Sequence, residues 1–222
     1  MMVDVIIPAH NESGTIEGVL EAVRGSEYVG HVIVVADNCD DATHVLAMQY
    51  TSSVMPAHFS NKGSSMAMGL DYVHTPYVAF CDADLEGLRS DHIDELCSLE
   101  NKGQTAGLFS WNNMKLPPIT GQRCLPTEVA KRSGLFGSGW EAEHRINATV
   151  SAMGLPWKHF HLDGVKHPSK LSKHDPTGWG KTMGHVALAM WKYGPELFNY
   201  SAYPEGRKLD HMPRLPREKI SK

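Results

Sequence analysis

No stretch of the 222-residue chain approaches the ~20 consecutive apolar residues that a membrane-spanning helix needs, so no integral membrane segment is expected. The opening residues, Met1-Met2-Val3-Asp4-Val5-Ile6-Ile7, carry no basic cluster and no long apolar core. They read as a strand, not as a secretory signal. Cysteine is scarce: Cys39, Cys81, Cys97 and Cys124 stand far apart with no C-x-x-C spacing. That pattern excludes a disulfide framework and a cysteine zinc site, and it suits reduced thiols in a cytoplasmic protein. A large charge of one sign is lacking too, and a net charge of -4 argues against a nucleic-acid coat. There is no internal repeat and no low-complexity linker. No Gly-x-Gly-x-x-Gly follows the first apolar run, which counts against an ordinary dinucleotide site.

What is present is apolar mass in a regular order. Hydrophobic residues make up 41% of the chain and mean hydropathy is -0.30, enough for a core in a soluble globular protein. Residues 3–8, 32–36 and 77–81 are short apolar runs that read as buried strands, and residues 106–111 read as another. Between them lie helical patterns. Ser13 is a suitable N-cap for Ile16, Val19, Leu20 and Val23, and further helices are expected over 42–50, 66–73 and 91–102. Strands alternating with helices predict an α/β fold with one mainly parallel, doubly wound, Rossmann-like sheet.

Ligands of open α/β sheets bind at the carboxyl ends of the strands. Polar residues collect where those ends are expected. Pro8-Ala9-His10-Asn11-Glu12 follows the first strand. Asp37 follows the second, with Asp40 and Asp41 placed to cap the next helix. An acid at the end of that strand suits contact with a ribose or base edge. Lys62-Gly63 precedes a helix, where the lysine can reach a phosphate and the glycine permits close backbone approach. Asp82-Ala83-Asp84 ends the Tyr77 run, and alternation along an extended chain would send both carboxylates to one side. Mg²⁺ or Mn²⁺ would relieve their repulsion and keep coordination for substrate phosphates. An isolated Asp-x-Asp or a lone lysine also reads as solvated surface.

The second half is less regular. Residues 115–123, with Pro117-Pro118 and Gly121, read as loop. A short helix is expected over 126–132, a glycine-rich turn over 134–139 and a strong helix over 140–153, with Glu141, Glu143, His144 and Arg145 near its start. Residues 157–162 read as a strand leading into Asp163 to Lys170, and residues 182–193 as a last amphipathic helix. His159, His161, His167 and His174 crowd one region without a zinc-finger or His-Glu-x-x-His spacing.

These pieces together resemble the family 2 glycosyltransferases of the GT-A fold. The resemblance rests on Val5-Ile6-Ile7-Pro8-Ala9-His10-Asn11-Glu12, on Val34-Val35-Ala36-Asp37-Asn38-Cys39-Asp40-Asp41-Ala42-Thr43, on Lys62-Gly63 and on Phe80-Cys81-Asp82-Ala83-Asp84. It is looser over Gly121-Gln122-Arg123, Trp140-Glu141-Ala142-Glu143 and the His167 segment. It implies metal-assisted transfer of a sugar from a nucleotide-sugar, usually a UDP-sugar, with inversion. Pro8, His10, Asn11, Glu12, Asp37, Lys62, Asp82, Ala83 and Asp84 would hold the donor, and Asp84 with His167 the Mn²⁺ or Mg²⁺. Gly121, Gln122, Arg123 and Trp140 would face the acceptor. Glu143, with Glu141 as alternate, would be the base. Residues 1–204 would form the GT-A domain, with 1–112 the nucleotide-sugar half and 113–204 a less regular acceptor and metal half. Residues 205–222 would be a basic tail.

Two other readings compete: a nucleotidyltransferase acting on sugar phosphates, and a non-catalytic nucleotide-sugar binding module. The first usually has a glycine-rich, arginine-containing loop after its first strand, and Pro8 to Ser13 has none. The acceptor, whether a sugar, a lipid-linked group or a nucleic-acid base, is not readable from sequence, nor is the oligomeric state.

Overall fold

The computed structural model describes residues 2–98, 104–108, 121–155 and 157–166. The expected helix over 182–193, His167, His174 and the tail lie outside the described residues. The first half runs β1 (Val3–Ala9), α1 (Ile16–Arg24), β2 (Val29–Asp37), α2 (Thr43–Ala47), β3 (Val54–Ala57), α3 (Lys62–Leu70), β4 (Tyr77–Phe80) and α4 (Ser90–Cys97). Then follow β5 (Gln104–Leu108), β6 (Arg123–Pro126), α5 (Thr127–Arg132), a 3₁₀ turn (Gly139–Glu141), α6 (Ala142–Ala152) and β7 (Trp157–His161).

Among the described residues the strands form one seven-stranded sheet in the order β3-β2-β1-β4-β6-β5-β7. β6 runs antiparallel to both its neighbours, and every other pairing is parallel. β5 comes from the expected first half, and β6 and β7 from the second. The two halves therefore share one sheet.

Alternation along the strands divides the core in two. Val5, Ile7 and Val34 face α1 and α4, meeting Ile16, Leu20, Ile93 and Leu96. Ile6, Ile33, Val35 and Phe80 face α3, α5 and α6, meeting Met66, Val129, Ile146 and Val150. Strands buried on both faces explain why residues 5–8 of β1 and 32–36 of β2 read as apolar runs.

Several expectations need correction. β3 and β6 were not expected as strands. Each has only four residues and contains a proline. β3 is an edge strand, and Pro126 ends β6, the positions that tolerate a missing amide donor. Ser13 does not cap α1. Thr15 stands at that position without a side-chain cap, and the Ser13 amide donates instead to Asp41 Oδ2 at 3.0 Å. α4 ends at Cys97, short of 102.

Candidate active site

The β1–α1 and β2–α2 loops are laced together. His10 Nδ1 lies 2.7 Å from the Asp37 carbonyl, the Asp40 amide donates to Asn11 Oδ1 at 2.8 Å, and the Glu12 amide donates to Thr43 Oγ1 at 2.7 Å. Thr15 Oγ1 donates to the Ala83 carbonyl at 2.8 Å, tying this pair of loops to the Asp-x-Asp segment. Asp41 takes the Thr43 amide and hydroxyl and the Ser13 amide. Burial by itself would raise the Asp41 carboxyl, but the Thr43 and Ser13 donors outweigh it and hold the group well below the usual carboxylate range.

Asp37 sits at the C-terminal end of β2, where the sequence places it, but it is enclosed by its neighbours, with 5% relative exposure. Oδ1 accepts the Phe59 and Ser60 amides at 2.7 and 3.1 Å, and Oδ2 accepts the Asn61 amide and Ser65 hydroxyl, both at 3.0 Å. Four donors use the capacity of a carboxylate. Burial would raise this carboxyl, yet the amides of Asn61, Ser60 and Phe59 and the Ser65 hydroxyl bring it below its usual value. Asp37 therefore shapes the loop between β3 and α3. In that loop Asn61 caps α3, its Oδ1 accepting the Ser64 amide at 2.9 Å and the Gly139 amide at 3.0 Å. This second bond, missed by sequence reasoning, brings the glycine-rich turn onto α3. Gly63 admits the contact, since a Cβ there would stand 2.5 Å from the Leu135 carbonyl.

Lys62, first residue of α3, is the meeting point. Its ammonium lies 2.6 Å from Asp82 Oδ1 and 2.7 Å from Glu143 Oε1. Burial would lower its pKa, but Asp82 and Glu143 outweigh burial and push it above the usual lysine range. Gln122 Nε2 donates to Asp82 Oδ2 at 2.9 Å, and Gly121 passes so close that an added Cβ would overlap that carboxylate. β4 stops at Phe80, and Ala83 and Asp84 form a turn. Strand alternation therefore does not extend through the Asp-x-Asp. Burial, then Asp82 and Asp84, push the adjacent Cys81 thiol up, while Lys62 opposes them.

Glu143 lies in the first turn of α6 and is 5% exposed, whereas Glu141 lies on the 3₁₀ turn 3.8 Å from Arg145. Arg123 needs correction as an acceptor contact. It is fully buried, and Nη1 donates to Asn147 Oδ1 at 2.8 Å and to the Glu143 carbonyl at 3.3 Å. It anchors α6 to β6. Gln122 and Gly121, also expected at the acceptor, both meet Asp82. Trp140 sits on the 3₁₀ turn.

Lys166 exchanges two backbone hydrogen bonds of 2.9 Å with Glu86, two residues past Asp84. The chain leading into His167 is thereby fastened beside the Asp-x-Asp. Among the described residues, no cluster of three or more His, Cys, Asp or Glu forms a metal cage. No described helix is long and apolar enough to cross a membrane.

Solved structures share this architecture. Glucosyl-3-phosphoglycerate synthase from Mycobacterium tuberculosis in complex with Mg²⁺ and UDP superposes with a TM-score of 0.70 at 19% identity, covering 87% of this chain and 79% of that one. The same enzyme with Mn²⁺, UDP-glucose and phosphoglyceric acid gives 0.67 at 18% identity, covering 92% and 81%. The sheet and its flanking helices have the GT-A fold of those structures. Residues 4–96 match the model described as Glycosyl transferase family 2. Over those residues, which run from β1 into α4, the chain is similar to that family. It is also 29% identical over 112 residues to the 4,4'-diaponeurosporenoate glycosyltransferases of Staphylococcus aureus strains MRSA252 and USA300, an alignment covering 48% of this chain. The chain spans 30% of the length of those curated relatives.

Proposed function

We propose that this chain transfers a sugar from a UDP-sugar to an acceptor hydroxyl with inversion, assisted by Mn²⁺ or Mg²⁺. The observation that carries the reading is the Lys62 ammonium joining Asp82 and Glu143, which brings the expected diphosphate and base positions within one side chain's reach. The structural neighbours solved with UDP or UDP-glucose support the choice of donor.

In this reading the Pro8 to Glu12 loop and the loop shaped by Asp37 hold the nucleoside. Lys62, Asp82, Ala83 and Asp84 line the diphosphate position. Asp84 and His167 would hold the metal, and the bridge between Glu86 and Lys166 supports that pairing. Carboxylate oxygen and imidazole nitrogen fit Mn²⁺ or Mg²⁺. When bound, the metal supplies positive charge that stabilises the departing diphosphate. The acceptor oxygen bonds to the anomeric carbon as the bond to the UDP oxygen breaks, and that electron pair stays on the diphosphate. Glu143 takes the acceptor proton. Burial of Glu143 to 5% exposure keeps competing water from the base. Four cysteines, all free, support a cytoplasmic setting.

UDP release from a panel of UDP-sugars, with Mn²⁺ and with chelator, tests the reading. Release is expected to need the metal and to fall ~10²–10⁴-fold in Glu143→Gln. Undiminished release under chelation, or in Glu143→Gln, refutes the corresponding role.

A further inference from the structure

Lys62 serves two carboxylates that have opposite needs. Asp82 is fastened on every side: Oδ1 on Lys62, Oδ2 on Gln122 and the carboxylate against Gly121. Glu143 is held differently. Its backbone is fixed, because Arg123 reaches the Glu143 carbonyl and Asn147 from below, but its carboxylate is tied to Lys62 through Oε1. The Glu143 oxygen that accepts the Lys62 N–H is occupied and turned to the lysine, not to an acceptor hydroxyl. The donor-free site therefore keeps its base paired.

Asp82, Glu143 and Lys62 together carry one net negative charge. A diphosphate entering beside Asp82 brings more negative charge to the same ammonium. Lys62 has three N–H donors, of which Asp82 and Glu143 take two, so a diphosphate that meets the ammonium through two oxygens has to displace one carboxylate.

We infer that Lys62 is a donor-operated latch on Glu143: the ammonium stays on Asp82, gives up Glu143 for the arriving diphosphate, and so releases the base only when a donor is in place. The inference rests on the nucleotide-sugar reading above and adds its control. A base freed only by donor leaves the acceptor hydroxyl protonated until there is something to attack. The lysine is a positioning residue for the base and a binding residue for the diphosphate in succession.

The test needs neither acceptor nor turnover. Calorimetry measures binding of UDP with Mg²⁺ to the wild type, Glu143→Gln, Lys62→Met and the double variant. If Glu143 competes for the ammonium, Glu143→Gln binds UDP about tenfold tighter than the wild type, a coupling typical of side chains in contact. Lys62→Met binds more weakly, and adding Glu143→Gln to it brings no tightening. Glu143→Gln affinity equal to or below the wild type's overturns the latch. Tightening that persists without Lys62 overturns it too, because plain repulsion between Glu143 and the diphosphate would then be the cause. A crystal structure of the wild type with UDP and Mg²⁺ provides a second readout that does not depend on how the variants fold. Lys62 Nζ is expected on a phosphate oxygen and out of hydrogen-bond reach of Glu143, and an intact contact refutes the release. A wild type that binds no UDP with Mg²⁺ removes the nucleotide-sugar reading itself, and the latch with it.

Discussion

One methyl group tests how closely Asp82 is seated. Gly121 has no side chain, and its neighbour on that side is the Asp82 carboxylate itself. Gly121→Ala must push Asp82 away from Lys62 and Gln122, which no surface mutation nearby would do. Misplacing a binding group by about an ångström costs on the order of 10²-fold in rate. Gly121→Ala is therefore expected to lower metal-dependent UDP release by about that factor with an unchanged circular dichroism spectrum. Unaltered release would show that the position of Asp82 is not critical. At this scale the sequence singles out candidate residues but not what they touch. Lys62, Asp82 and Glu143 were each singled out, yet their spacing in the chain says nothing of a shared ion pair. Gln122 is expected at the acceptor, and its hydrogen bond to Asp82 has no counterpart in that expectation.

Two side chains hold elements in place for this site. Asp37 organises the β3–α3 loop by accepting three amides and the Ser65 hydroxyl. Asn presents an amide donor where a carboxylate accepts, so Asp37→Asn is expected to cost about 1–3 kcal/mol at neutral pH. The folded pKa of Asp37 lies below its ordinary 3.8, so the charged form contributes stability above that value. As pH falls through the lower folded value, the contribution disappears. Urea midpoints should therefore separate wild type from Asp37→Asn at pH 7 and draw together below about pH 4. A gap that stays constant down to about pH 2 would argue against the ionised carboxylate as its source. Arg123 does the same for α6, clamping the helix that carries Glu143. Arg123→Met leaves the buried Asn147 without that donor, a loss of about 3 kcal/mol. Its UDP release should fall beyond what the melting shift explains, because Glu143 loses its backbone support. Release unchanged once the variant is held below its melting temperature would limit Arg123 to stability. Element positions were legible where periodicity was strong, as in β1, β2 and α1. They were not legible in β3 and β6, whose four residues and prolines fall below any pattern signal.

Across the whole molecule, the antiparallel strand β6 joins the two halves. It lies between β4 from the first half and β5, and β5 in turn pairs with β7. Both halves thus rest on one continuous ladder, and cooperative unfolding follows. All the tryptophans except Trp111 lie beyond residue 112, so their fluorescence reports mainly the second half. Its urea transition is expected to coincide with that of far-ultraviolet circular dichroism, which reports the whole sheet. A tryptophan transition at clearly lower urea would mean that the halves fold as separate units. By itself the sequence determined the layered α/β class and the order of the polar loops, because burial on both faces of a strand and on one face of a helix leaves a local periodic record. It also determined that acids would stand at the carboxyl edge. Only the tertiary structure decided that Asp37 supports a loop, that Arg123 is interior and that Lys62 is shared between Asp82 and Glu143. Those are contacts between residues 20 to 81 positions apart, created by sheet order and helix packing, and no local pattern encodes them.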